Sequence, residues 1–213
     1  MSKKELKNIV ILISGKGSNL KVILEAQREQ GWDARVTRVF CNRVDAPGLA
    51  IAESFGVPVT LLNHQDFATR DAFDQSLLSE IQSEQPDLVV LAGFMRILSR
   101  EFVDYFAGRL INIHPSLLPS FPGLNTHQAA LKAGVKWHGA TVHFVTSELD
   151  VGPIIAQGVV PVHNYDNPHL LSERVQAIEH IIYPKAIEWF LKDQIFLQDG
   201  IVSVIPPQSQ FFY

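Results

Sequence analysis

Asn112 and His114 stand two residues apart in Leu110-Ile-Asn-Ile-His114, an apolar, β-prone run stopped by Pro115. On a strand, residues i and i+2 share a face. The carboxamide and the imidazole therefore project together, while Ile111 and Ile113 pack on the other side. Asn112 offers a neutral N–H donor and His114 a group that titrates near neutrality. Such a pair suits a reaction in which a carbonyl oxygen becomes an oxyanion and a proton must move. An Asn and a His hydrogen-bonded structurally at a strand end would read the same way, so a second part of the site has to decide.

Other segments carry chemistry-bearing residues. Ser14-Gly-Lys-Gly-Ser-Asn-Leu20 follows an apolar run and opens a helix. Its glycines let a ligand approach the backbone, and the free N–H groups at a helix start favour an anion such as phosphate. Ser18 or Asn19 would serve as N-cap or as a direct donor. Leu20 stands where a dinucleotide fingerprint needs its third glycine, and the P-loop spacing is missing. A tight turn with no ligand fits this segment equally well. Gly93-Phe-Met-Arg-Ile-Leu98 follows a second apolar run, at the strand end where open α/β sheets bind ligands, and its Met and Ile suit a flat heteroaromatic group. Asp150 lies in Ser147-Glu-Leu-Asp-Val-Gly-Pro153. Paired with His114, its carboxylate would favour the imidazolium; alone, it reads as a solvated turn residue. Gln176 and Glu179, three apart on a helix, share a face that suits a substrate's hydroxyls or amine, or simply solvent. His127, His138 and His143 match no zinc spacing and read as packing or polar-network residues, so no metal is expected.

The elements that must position these groups alternate. Ile9–Ile13, Val36–Phe40, Val57–Leu62, Leu88–Ala92 and Leu110–Ile113 read as strands, the first and fourth wholly apolar as in strands buried on both faces. Pro58 puts the third at a sheet edge. Leu20–Gln30, Pro47–Phe55, Phe67–Gln85 and Glu101–Phe106 read as helices between them. The pattern predicts a Rossmann-like, doubly wound α/β fold with a mainly parallel sheet. Beyond His114 the rhythm changes. A loop marked by Pro115, Pro119, Pro122 and Gly123 leads to a helix over Thr126–Ala133. Two strands, His138–Val145 and Ile154–Val160, suit antiparallel pairing, and a long amphipathic helix covers Leu170–Leu191. Ile201–Tyr213 is an apolar tail.

The 213 residues suit one domain that buries roughly 70% of its unfolded surface. A hydrophobic content of 46%, 19% charged residues and a net charge of −4 fit a soluble protein whose main partner is not nucleic acid. The single cysteine, Cys41, fits a reducing cytosol and a packed thiol. The charged N-terminus precedes only five apolar residues, too few for a signal peptide or a membrane span, and a cytoplasmic protein is expected.

Taken in order, Ile13–Leu20, Leu91–Leu98, Asn112-Ile-His-Pro-Ser-Leu-Leu-Pro119, Pro122-Gly123, His138-Gly139, Val142–Val145, Glu148-Leu-Asp150, Gly152-Pro153 and Gln176–His180 resemble the phosphoribosylglycinamide formyltransferases, the folate-dependent enzymes of purine synthesis. The resemblance covers residues 8–191, and the joint set is far more specific than any piece. It implies a single formyltransferase domain over 1–213, with ribonucleotide binding in the N-terminal half, folate binding and catalysis in the C-terminal half, and a tail at 192–213. It implies formyl transfer from 10-formyltetrahydrofolate to the amine of glycinamide ribonucleotide, with no metal and no covalent intermediate. By position, Gly17, Ser18 and Asn19 would hold the phosphate and Glu179 the amino substrate. Arg70, Met95, Arg96, Ile97, Leu98 and Thr146 would surround the folate, together with Asn112 and Asp150. Asn112, His114 and Asp150 would form the catalytic trio. Partners would be small molecules only, and the protein a monomer or homodimer. Ala140 and Thr141 depart from the hydroxylated pair common in relatives, which excludes a substrate contact by the side chain at 140.

Three other readings share some of these residues. A formyltetrahydrofolate deformylase would be expected to carry an extra N-terminal domain. A methionyl-tRNA formyltransferase would be expected to carry a basic C-terminal one. A non-catalytic nucleotide-binding module would leave Asn112, His114 and Asp150 as coincidence.

Overall fold

Ile9 to Ile13 are all fully buried, as the uninterrupted apolar run requires, and they form the C-terminal part of strand β1 (Lys7–Ile13). This is a computed structural model, and it describes residues 6–213. Helix α1 (Ser18–Glu29), β2 (Ala34–Cys41), α2 (Gly48–Ser54), β3 (Val59–Leu61), α3 (Arg70–Ser83), β4 (Leu88–Leu91), α4 (Arg100–Tyr105) and β5 (Leu110–His114) follow in turn. Then come α5 (Thr126–Ala133), β6 (Trp137–Phe144), β7 (Ile154–Pro161), α6 (Pro168–Leu191), β8 (Ile195–Gln198), β9 (Ile201–Val204) and β10 (Phe211–Phe212). The eight-stranded main sheet has the order β10-β7-β6-β5-β4-β1-β2-β3, and it is mainly parallel, as expected of a doubly wound α/β fold. Two compact units divide inside β5, the first ending at Ile111 and the second beginning at Asn112.

In the first unit β1 is parallel to both neighbours, with Ile9 opposite Val36 of β2 and Leu88 of β4. Strand order reverses at β1, since β2 and β3 lie to one side of it and β4 to the other. Loops leaving β1 and β4 therefore flank a topological switch point, where such sheets hold ligands. β3 lies at the sheet edge, as Pro58 predicts. Helix α3 begins later than the apolar pattern suggests. Extended Thr69 caps it, its hydroxyl accepting from Ala72 N at 3.1 Å. Phe67 stays outside the helix and packs edge-on against Phe73, with ring centroids 5.5 Å apart.

In the second unit β6 and β7 are antiparallel, with Thr141 opposite Gln157. Asn167 caps α6 by accepting from the amides of His169 and Leu170, and Pro168 follows in the first turn, where its missing N–H costs nothing. Leu171, Val175, Ile178 and Ile182 form the buried stripe of this helix. The tail, read from sequence only as an apolar segment, has structure of its own. β8 and β9 form a hairpin turning at Asp199-Gly200, both with positive φ, which matches the twist of two-residue hairpins. β10 pairs in parallel with β7, Phe211 opposite Gln157, and occupies the sheet edge.

Candidate active site

In the first unit the glycine loop after β1 and the loop after β4 are tied together by one hydroxyl. Ser14 is buried; its Oγ donates to Asn42 Oδ1 at 2.6 Å and accepts the Met95 amide at 2.8 Å. Its own amide donates to Gly93 O at 3.1 Å. Two segments singled out separately by sequence thus form one structure at the switch point. Gly17 takes the N-cap position of α1 with φ 75°, so neither Ser18 nor Asn19 caps the helix; Ser18 opens its first turn and Asn19 follows. A Cβ on Gly17 would lie 2.7 Å from Gly48 Cα, so two glycines set this approach. Met95 and Ile97 are exposed apolar side chains. Arg70 donates to Leu98 O at 2.9 Å and lies 3.8 Å from Asp74. Asp74 is buried and accepts the Ser99 amide at 2.6 Å, and burial pushes its carboxyl above the usual range. Arg96 lies over the Phe73 ring, 4.7 Å from its centroid. Gly17 to Asn19, Arg70 and Met95 to Leu98 all belong to this unit, and Ser14 bridges two of these three elements.

The second unit assembles the trio. Asn112 and His114 sit at the end of β5, and His114 is buried. His114 Nδ1 lies 3.4 Å from Asp150 Oδ2, both side chains being 7% exposed. The contact is long for a hydrogen bond. Its other nitrogen, Nε2, lies 3.0 Å from Phe121 O. A carbonyl only accepts, so Nε2 carries a proton. Asp150 has φ 55°, a left-handed conformation that Asp tolerates, and its Oδ2 accepts the Gly123 amide at 2.8 Å. Two residues on, a Cβ at Gly152 would fall 1.8 Å from Phe144 O, so glycine alone lets the loop lie this close to β6.

His143, read from sequence as a packing or network residue, touches the site directly. Its Nδ1 donates to Phe144 O at 2.9 Å, which leaves Nε2 as an acceptor for Asn112 Nδ2 at 3.3 Å. Burial holds its pKa below the ordinary histidine value, which keeps that acceptor available. This contact orients the Asn112 amide nitrogen and leaves its second N–H free. Sequence spacing gives no sign of the pairing, since the two residues are 31 apart. Thr141 is buried and structural: it accepts the Leu118 amide at 3.0 Å and donates to Ser116 O at 2.7 Å. Thr146 donates to Glu148 O at 3.2 Å within the Asp150 loop, which also exposes Leu149 and Val151. On α6, Glu179 is buried and Gln176 exposed, so the expected shared face is only partly a solvent face. His127 and His138 pack ring to ring at 5.3 Å, and burial lowers His138 to about 4. Among the described residues no group of three or more His, Cys, Asp or Glu is placed to hold a metal ion.

The arrangement offers a neutral donor, an imidazole facing a carboxylate, and a backbone amide on that carboxylate. Comparison with known proteins gives the family. Residues 7–187 match the family model described as formyl transferase. The chain is 48% identical over 206 residues to phosphoribosylglycinamide formyltransferase of Escherichia coli, covering 95% of this chain and 97% of that protein. Glycinamide ribonucleotide transformylase 1 of Symbiobacterium toebii superposes with a TM-score of 0.91 at 42% identity, covering 95% of each chain. The phosphoribosylglycinamide formyltransferase of Coxiella burnetii gives 0.91 at 41% identity, over 98% of this chain and all of that one. Matched by the family model over residues 7–187 and 48% identical to a relative covered over 97% of its length, this chain belongs to the formyl transferase family and is an enzyme of formyl transfer.

Proposed function

We propose that this enzyme moves the formyl group of 10-formyltetrahydrofolate to the amine of 5′-phosphoribosylglycinamide, giving N-formylglycinamide ribonucleotide and tetrahydrofolate. One observation carries the reading: His114 Nδ1 meets Asp150 Oδ2 at 3.4 Å beside an Asn112 whose amide is held by His143. The amine's lone pair attacks the formyl carbon, and the carbonyl oxygen becomes an oxyanion. The free N–H of Asn112 and a protonated His114 stabilise that charge. Asp150 keeps the imidazolium oriented and fixes a water, which carries a proton from the attacking nitrogen to the folate nitrogen as the C–N bond to folate breaks.

In the same reading the ribonucleotide phosphate sits on Gly17, Ser18 and Asn19, at the start of α1, where the helix dipole favours an anion. Glu179 holds the amino end. Arg70, Met95, Arg96, Ile97 and Leu98 line the folate, with Thr146, Asn112 and Asp150; the exposed apolar Met95 and Ile97 support this assignment. No described helix is long and apolar enough to cross a membrane. The reaction is assigned to the cytoplasm, to a monomer or homodimer, with small molecules as partners.

The test is formyl transfer from the folate donor with and without the ribonucleotide. Product formation that requires the acceptor supports the proposal. Donor consumption without the acceptor identifies a hydrolase, and ligand binding without turnover a non-catalytic module.

A further inference from the structure

The Pro122-Gly123 turn has no part in the reaction as described, yet it brings two backbone groups onto the two ionisable side chains of the site. The Phe121 carbonyl meets His114 Nε2 at 3.0 Å, and the Gly123 amide meets Asp150 Oδ2 at 2.8 Å. That same carboxylate oxygen faces His114 Nδ1. The turn maintains this at a conformational cost. Phe121 has φ 53°, which is rare for an aromatic residue, and it precedes proline, which favours extended backbone instead. Such an outlier persists only where its surroundings over-determine it. The preceding residue is anchored twice, Ser120 N donating to Leu117 O at 2.9 Å and Ser116 Oγ to Ser120 O at 2.7 Å. The Phe121 ring packs edge-on against His138, 5.9 Å away.

We propose that the backbone of Phe121 to Gly123 is the third partner of the His114–Asp150 pair. The Phe121 carbonyl fixes His114 with its proton on Nε2 and turns Nδ1 toward the carboxylate, where the reacting group would sit; the Gly123 amide holds the facing oxygen of Asp150. Phe121 is thus a positioning residue, and it acts through its main chain. Which ring nitrogen of a histidine works is commonly set by the hydrogen bond that the other nitrogen makes. In its catalytic consequence the proposal rests on the formyl-transfer reading, but its structural core does not.

Two measurements separate these. In the free enzyme, nitrogen-15 NMR of His114, assigned by the signal lost in His114→Asn, reads the tautomer of the neutral ring. The Nε2–H form is expected, and a dominant Nδ1–H form overturns the proposal whether or not the enzyme transfers formyl groups. For function, Phe121→Val is compared with Phe121→Gly. Both remove the ring, but valine resists positive φ whereas glycine adopts it freely. Phe121→Val should mix the tautomers and lower kcat on the order of 100-fold, the cost of a misplacement of about 1 Å in a reacting constellation. KM values should stay within about threefold, and Phe121→Gly should exceed Phe121→Val in kcat by roughly tenfold. Equal losses in the two variants would assign the role to the ring and reject the main-chain account. If Phe121→Val does not fold, the wild-type tautomer still decides.

Discussion

Replacing Gly152 by alanine tests whether the Asp150 loop owes its position to close backbone contact. The added Cβ would stand 1.8 Å from Phe144 O and 2.9 Å from Phe144 C. Both are backbone atoms of a buried strand, so neither can swing aside. Real Cβ atoms essentially never come closer than 3.0 Å, so the loop must retreat by about 1.2 Å. Asp150, two residues away, already stands 3.4 Å from His114, and the same retreat would take it beyond ion-pair range. A misplacement of about 1 Å in a reacting constellation costs on the order of 100-fold in rate. Gly152→Ala should therefore lower kcat about 100-fold, while overpacking takes about 1–3 kcal/mol from stability. Steady-state kinetics with both substrates, alongside thermal melting, reads both effects. The ribonucleotide KM should change little, because the glycine loop assigned to the phosphate belongs to the first unit. A folded Gly152→Ala enzyme with wild-type kcat would refute the reasoning.

Three further outcomes follow from separate contacts. His143→Leu removes the acceptor that orients Asn112 and should lower kcat roughly 10- to 100-fold with the enzyme still folded, and unchanged turnover would remove His143 from the site. Ser14→Ala deletes the bond that anchors the Met95 amide, and at about 1 kcal/mol per hydrogen bond the donor KM should rise roughly fivefold, read by varying the folate at fixed ribonucleotide. Buried His138, held at about 4 against an ordinary value of 6.5, binds its proton more weakly folded than unfolded. Its contribution is therefore complete above pH 6.5 and lost as pH falls toward 4. The unfolding free energy from urea titrations should drop across that window by about 1–3 kcal/mol, and by clearly less in His138→Leu; parallel curves for the two proteins would exclude His138 as the source.

The two-residue period of β5 made Asn112 and His114 legible as a pair, and Pro115 marked the strand end. α5 runs over Thr126–Ala133, as read from the sequence. Fully apolar runs gave β1 and β4 because a strand buried on both faces shows no alternation. What stayed hidden depends on contacts between distant residues. By spacing alone Asp150 was a turn carboxylate, joined to His114 only by the family resemblance, and His143 became an acceptor only because its other nitrogen donates to Phe144 O. Gly48 fell inside a predicted helix and Gly152 in a turn, and neither showed the packing it permits, since a close approach leaves no trace in the chain that makes it. The Asp199-Gly200 turn between alternating residues was a readable hairpin signal. β10, at two residues, is too short to show any period.

β10 also bears on where this protein can be cut. The family model matches residues 7–187, yet β7 is covered on its outer side by Phe211 and Phe212, beyond that match. Trimmed to the family boundary, the protein would keep every residue assigned to the reaction and present a bare row of β7 amides and carbonyls. An uncovered strand of that kind is a template for another chain. The trimmed enzyme should therefore lose solubility, seen as aggregation by light scattering, before it loses its chemistry. On that outcome, the stretch that keeps the catalytic fold dispersed in water is one that the assigned chemistry does not use.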